Sequence, residues 1–120
     1  MDYIKKEHKK FNKNSYRSFI LAGDIGGTNT SIGIFGVKNR HPALLVSFHF
    51  KSRELNGLDY PINEVIAHIK KNYKINVTNA CFAVAGILSS TKDYAQITNA
   101  KWDVSRKILL KKTNLKKIVL

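Results

Sequence analysis

Asp24, Gly26, Gly27 and Thr28 are the residues whose types and spacing could do chemistry in this chain. They sit in Leu21-Ala22-Gly23-Asp24-Ile25-Gly26-Gly27-Thr28-Asn29-Thr30, between an apolar run, Phe19 to Ala22, and an alternating run, Ser31 to Val37. Adjacent glycines let backbone N–H groups approach an anion with no Cβ in the way. Thr28 can add a hydroxyl donor, and Asp24 can hold a water on a phosphate-bound Mg²⁺. The same residues would also make an ordinary glycine hairpin with Asp24 as a turn-capping carboxylate, and the local sequence leaves that reading open.

Two better-known phosphate loops are excluded. No Lys follows the glycines, as G-x-x-x-x-G-K-[ST] requires. A dinucleotide fingerprint would enter a helix, whereas Thr30-Ser31-Ile32-Gly33-Ile34-Phe35 is β-branched and roughly alternating, the pattern of a strand. Strand, phosphate turn, strand is the nucleotide corner of the actin, hexokinase and Hsp70 fold class.

The elements that must position this corner follow in order. Residues 1–17 read as a polar, basic leader, mobile or a frayed helix. Strands are expected over Ser18 to Asp24, Thr30 to Val37 and Ala43 to Phe50. A helix from Pro61 to Tyr73 carries an inward stripe of Ile62, Val65, Ile66, Ile69 and Tyr73. Asn79 to Ala85 reads as a buried strand ended by Gly86, with Cys81 a buried small hydrophobe. Ser89 to Asp93 is a polar turn and Tyr94 to Ile97 a short strand. A helix is expected over Ser105 to Lys112 with Leu109 and Leu110 inward, then a strand over Lys117 to Leu120. A strand so close to the end suggests a sheet left incomplete.

Composition narrows the function classes. Hydrophobic residues make up 43% of the 120, as in a globular domain. No apolar run approaches the roughly 20 residues of a membrane span, and no signal-peptide core is present. These features predict a cytoplasmic chain with no membrane partner. The lone Cys81 excludes an internal disulfide. His8, His41, His49 and His68 show no metal-ligand spacing. The net charge of +13 is mostly Lys without aromatic interleaving, which argues against specific nucleic-acid binding and for salt-sensitive sticking to polyanions.

Four segments in order resemble the N-terminal part of the bacterial-type glucokinase family: Gly23-Asp24-Ile25-Gly26-Gly27-Thr28-Asn29, Gly57-Leu58-Asp59-Tyr60-Pro61, Ala80-Cys81-Phe82-Ala83-Val84-Ala85-Gly86, and Ile97-Thr98-Asn99 with Trp102. The resemblance covers about residues 19 to 120. It implies an α/β fold of the actin/hexokinase-like (ribonuclease H-like) class, a mixed sheet with helices, with residues 18–120 as an N-terminal domain incomplete at its C-terminal end. It implies an enzyme that uses ATP and Mg²⁺ to phosphorylate glucose, with a homodimer allowed for the longer protein. Gly23, Asp24, Ile25, Gly26, Gly27 and Thr28 would hold the phosphates, Asp24 through metal-bound water, and Gly27 would matter for phosphate approach rather than for folding. Thr98 and Asn99 would bind sugar hydroxyls, or merely form a polar turn over Trp102. No catalytic base is implied within the chain; the family's Asp follows a strand like Lys117 to Leu120. Two positions depart from the family pattern: Ser31 stands where Arg is frequent, and Ile87 where Pro is usual. A sugar-kinase-like regulator and a non-catalytic remnant are the rival readings.

Overall fold

The computed structural model describes residues 3–8 and 10–120. Its strands are β1 (Tyr3–Glu7), β2 (Ser18–Ile25), β3 (Asn29–Lys38), β4 (His41–Lys51), β5 (Asn79–Val84), β6 (Gly86–Leu88), β7 (Tyr94–Ile97), β8 (Asp103–Ser105) and β9 (Lys117–Val119); its α-helices are α1 (Asp59–Tyr73) and α2 (Arg106–Lys112). Among the described residues, one sheet has the order β1-β4-β3-β2-β5-β9 and a second the order β6-β7-β8. The β2–β3–β4 meander is antiparallel, while β2, β5 and β9 run parallel, so the large sheet is mixed.

Alternation sorts the large sheet into two faces. Leu21, Ile25, Ile32, Ile34, Phe48, Phe50, Ala80, Phe82 and Ile118 are buried on one face with Ile62, Val65 and Ile69 of α1. The expected helical stripe is therefore core; α1 starts two residues earlier than its proline suggested and ends at Lys74 in the left-handed region. Each fully buried side chain of this kind contributes about 1.5–3 kcal/mol relative to exposure.

Several expectations are corrected. The leader is not a mobile tail, for residues 3–7 form β1 on the open side of β4. Tyr3 packs its ring 5.7 Å from Phe48 and 5.1 Å from Phe50, Phe11 stacks 5.4 Å from Tyr73, and Lys5 Nζ lies 5.0 Å above the Tyr73 ring. Alternation hides this, because Ile4, the aliphatic residue of β1, points outward and is 71% exposed. Met1, Asp2 and Lys9 of the expected leader lie outside the described residues. Cys81 is exposed rather than buried, since β5 turns Ala80 and Phe82 inward and Cys81 and Ala83 outward. Leu110 is likewise outward; α2 buries Leu109 alone among its residues. Gly86 does not stop structure but opens β6, where a Cβ would stand 1.9 Å from the Gln96 carbonyl oxygen of β7.

Candidate phosphate and sugar site

The parallel strands β2 and β5 both end toward one side of the sheet, at Ile25 and Val84. In open α/β sheets, ligands collect outside the carboxyl ends of such strands. The turn Gly26–Thr28 projects there, between β2 and β3.

Its carbonyls are tied inward. Ser52, 1% exposed in the short 3₁₀ turn Ser52–Glu54, donates its hydroxyl to the Gly26 carbonyl and its N–H to the Thr28 carbonyl at 3.0 Å. With that proton committed, Thr30 must donate to Ser52 Oγ, 2.8 Å away. The Ser52 carbonyl accepts the indole N–H of buried Trp102 at 3.1 Å. Gly26 N–H is spent on the Asn29 carbonyl at 3.0 Å, but the N–H groups of Gly27 and Thr28 donate to no described residue. Two neighbouring N–H groups without a described partner, on a turn whose Gly26 and Thr28 carbonyls are engaged by Ser52, are donors that an anion can use.

The expected sugar turn lies against this loop. Ala85 N–H donates to the Ile25 carbonyl at 2.8 Å, and Thr98 N–H donates to the Ala85 carbonyl at 3.0 Å, so the ends of β2, β5 and β7 are stitched in a row. Thr98 and Asn99 are exposed, and Asn99 holds φ 64°, a conformation its side chain tolerates. A Cβ on Gly27 would stand 2.1 Å from the Thr98 carbonyl oxygen and 3.0 Å from Asn99 Cβ. Gly27 is thus required by the close approach of the two turns, which corrects the expectation that it matters only for a ligand; neither Gly26 nor Gly27 has a positive φ. Trp102 packs beneath the loop.

The structure brings Gly26, Gly27, Thr28, Thr98 and Asn99 together. Gly23 and Ile25 are positioned differently. Ile25 is wholly buried, and a Cβ on Gly23 would stand 2.7 Å from the Phe82 ring, so side-chain packing accounts for both residue types. Asp24 is exposed, opposite Ser31, and lines a groove of about 330 Å³ on the outer face of the sheet with His8, Ser47 and His49. In that groove His8 Nε2 and His49 Nε2 lie 2.6 and 3.0 Å from Ser47 Oγ, and Ser31 Oγ lies 2.9 Å from His49 Nδ1. Among the described residues no three His, Cys, Asp or Glu side chains converge as metal ligands. Asp93, at the end of the polar turn expected over Ser89 to Asp93, accepts from Thr91 and Ser89 between β6 and β7, and those bonds hold its carboxyl below the usual range.

Sequence reasoning missed Ser52, Lys51 and Arg53. A cavity of about 270 Å³ beside the loop is lined by Gly27, Thr28, Asn29, Lys51 and Arg53. The pairing of Asn29 with Lys51 across β3 and β4, with the bonds of Ser52 to Gly26 and Thr28, brings these residues to the turn, and no local signal announces it.

A mixed sheet whose first hairpin carries a glycine turn at the mouth of parallel strands defines the hexokinase-type, actin-like fold. The glucokinase from an Antarctic psychrotroph superposes on 85% of this chain with a TM-score of 0.69 at 21% identity, the chain covering 31% of that structure. A Schistosoma mansoni hexokinase complexed with glucose superposes on 94% with a TM-score of 0.61 at 15% identity, 31% of it covered. The family model described as Glucokinase matches residues 21–120, and the chain belongs to the glucokinase family. The glucokinase of Yersinia enterocolitica is 30% identical over 89 residues, 73% of this chain and 25% of that protein; that of Cronobacter sakazakii is 30% identical over 88 residues, 72% and 25%. The chain therefore spans about a quarter of the length of the curated relatives it matches. No described helix is long and apolar enough to cross a membrane.

Proposed function

We propose that this chain supplies the phosphate loop and part of the sugar side of an ATP-dependent glucose kinase acting in the cytoplasm at the entry to glycolysis. The observation that carries this reading is the pair of N–H groups at Gly27 and Thr28, unengaged among the described residues and fixed by Ser52 directly beside the Thr98–Asn99 turn. Phosphoryl transfer demands positioning and charge stabilisation more than covalent chemistry. Gly27 and Thr28 would hold phosphate oxygens through backbone N–H groups, and the Thr28 hydroxyl would add a donor. Asp24, exposed at the end of β2, would orient water on Mg²⁺. The metal, when bound, neutralises charge on the phosphates. Thr98 and Asn99 would hydrogen-bond the sugar hydroxyls, close enough to the loop for the two substrates to meet. The general base, the rest of the sugar contacts and the adenine site are assigned to the part of the relatives that this chain does not match.

The test is a chimera in which residues 21–120 replace the corresponding segment of the Yersinia enterocolitica glucokinase. Glucose- and ATP-dependent turnover in a coupled assay is expected, reduced by Asp24→Asn. A chimera that folds and binds both substrates without turnover would contradict the proposal. The 120-residue chain alone should be silent, because a positioned base typically contributes about 10²–10⁴-fold.

A further inference from the structure

Resting on the phosphate reading above, the geometry points to Lys51 and Arg53 as the cationic half of the same site. We infer that they clamp a polyphosphate chain against the N–H groups of Gly27 and Thr28.

The loop carries no cation of its own, for Ser31 and the neighbouring Thr30 and Asn29 are neutral. A phosphate chain needs positive charge as well as N–H donors, since charge-assisted bonds are about twice as strong as neutral ones. Lys51 and Arg53 are the charged residues that line the 270 Å³ cavity with Gly27, Thr28 and Asn29. Both are exposed, and no hydrogen bond or ion pair to a described residue engages either head group. Glu54 shares an adjoining pocket with Lys51 but forms no ion pair with it.

Their placement is fixed by backbone rather than chance. Lys51 is the last residue of β4 and pairs with Asn29, the first of β3. Ser52, between the two cations, bonds both Gly26 and Thr28. The segment bearing the charges and the turn bearing the free N–H groups therefore move as one unit. The cavity falls just short of the ~300–1,000 Å³ of a pocket for a drug-sized ligand, which suits a di- or triphosphate rather than a whole nucleotide. Arg53 has the planar fork that grips two phosphate oxygens, and Lys51 adds a point charge.

The experiment titrates the 120-residue chain with inorganic tripolyphosphate and with Mg-ATP at fixed ionic strength. Trp102 is the single tryptophan and bonds the Ser52 carbonyl, so its fluorescence reads this corner. Wild type should bind both. The pair Lys51→Ala/Arg53→Ala should weaken binding about 10–100-fold, at roughly 3–10-fold for each exposed charge-assisted contact, and flatten the salt dependence. Lys51→Arg/Arg53→Lys should restore most of the affinity. Lys111→Ala/Lys112→Ala removes the same charge from exposed positions on α2 and should change little. Equal weakening in that control would mean diffuse polyanion sticking and would overturn the clamp. Undiminished affinity in the Lys51/Arg53 variant, with Gly27 and Thr28 amide signals still responding, would overturn the clamp and leave the phosphate loop standing. No response of Gly27 and Thr28 to either ligand in wild type would overturn both.

Discussion

Gly27→Ala should unfold the site before any ligand is considered. The added Cβ would lie 2.1 Å from the Thr98 carbonyl oxygen, and real Cβ atoms essentially never approach within 3.0 Å. One turn must retreat by roughly an ångström, at the cost typical of overpacking, about 1–3 kcal/mol and occasionally more. Neither partner can yield cheaply. Thr98 is tied through its N–H to Ala85 and follows the buried Ile97, while Thr28 is tied to Ser52. Because φ at Gly27 is not positive, the alanine also lowers unfolded-state entropy, which offsets about 0.4–1 kcal/mol. Set against each other, the two effects leave a net loss of about 0.6–2 kcal/mol. For a domain of this size that is a fall of roughly 2–10 °C in Tm, at about 4–5 °C per kcal/mol. Gly26→Ala is the internal comparison: its Cβ would meet the Asn29 carbonyl oxygen at 3.2 Å, so strain and entropy nearly cancel. Circular dichroism melts and urea titrations of both variants measure the difference. A Gly27→Ala protein as stable as wild type, or more stable than Gly26→Ala, would refute the reasoning.

Ser52→Ala should cost about 2–6 kcal/mol, since the Gly26 carbonyl and the wholly buried Thr30 hydroxyl both lose their partner, at about 1–3 kcal/mol per stranded group; amide exchange at Gly26 that stays as slow as in wild type would count against it. Deleting residues 1–16 should lower the melting midpoint, because Tyr3, Phe11 and Tyr16 are each partly buried and half-burial of an aromatic contributes about 1 kcal/mol; an unchanged midpoint would mean that β1 is not docked in solution. His68 has a pKa held below its ordinary value, first by burial and then by Lys5 and Lys71, with Glu64 opposing; its Nε2 is buried without a partner among the described residues. A depressed histidine binds fewer protons folded than unfolded, so stability should be flat above about pH 6.5 and fall as pH drops through the window below it, levelling once the folded pKa is passed. His68→Phe should remove that part of the slope in melts between pH 7 and 5, and identical slopes would exclude it.

How legible this was varied with the physics of each segment. The β2–β3–β4 meander and α1 could be read because burial on one face imposes periods of 2 and 3.6, and Tyr94–Ile97 was bounded by clear turn residues. The β1 strand was illegible because four of its five residues are polar or outward, and its docking depends on one tyrosine and on partners some forty positions away. Cys81 and Leu110 were misplaced for the opposite reason: a continuous apolar run does not say which residues face out. The strand β8, three residues long, carries no periodic signal. At the site, the glycines announced the loop, but the reason for Gly27 lies in Thr98, seventy-one positions on, and Ser52, Lys51 and Arg53 belong to no motif until β4 brings them to the turn.

That Gly27 and Thr28 receive the phosphates of a nucleotide is tested most directly by following the backbone amide signals of the isotopically labelled chain as Mg-ATP is added. The resonances of Gly27 and Thr28, whose N–H groups have no partner among the described residues, should shift earliest and furthest and saturate together with those of Lys51 and Arg53. If those signals stay in place while amides near the other basic segments, such as Lys70–Lys71 and Lys111–Lys112, move instead, the turn is a hairpin and not a phosphate site.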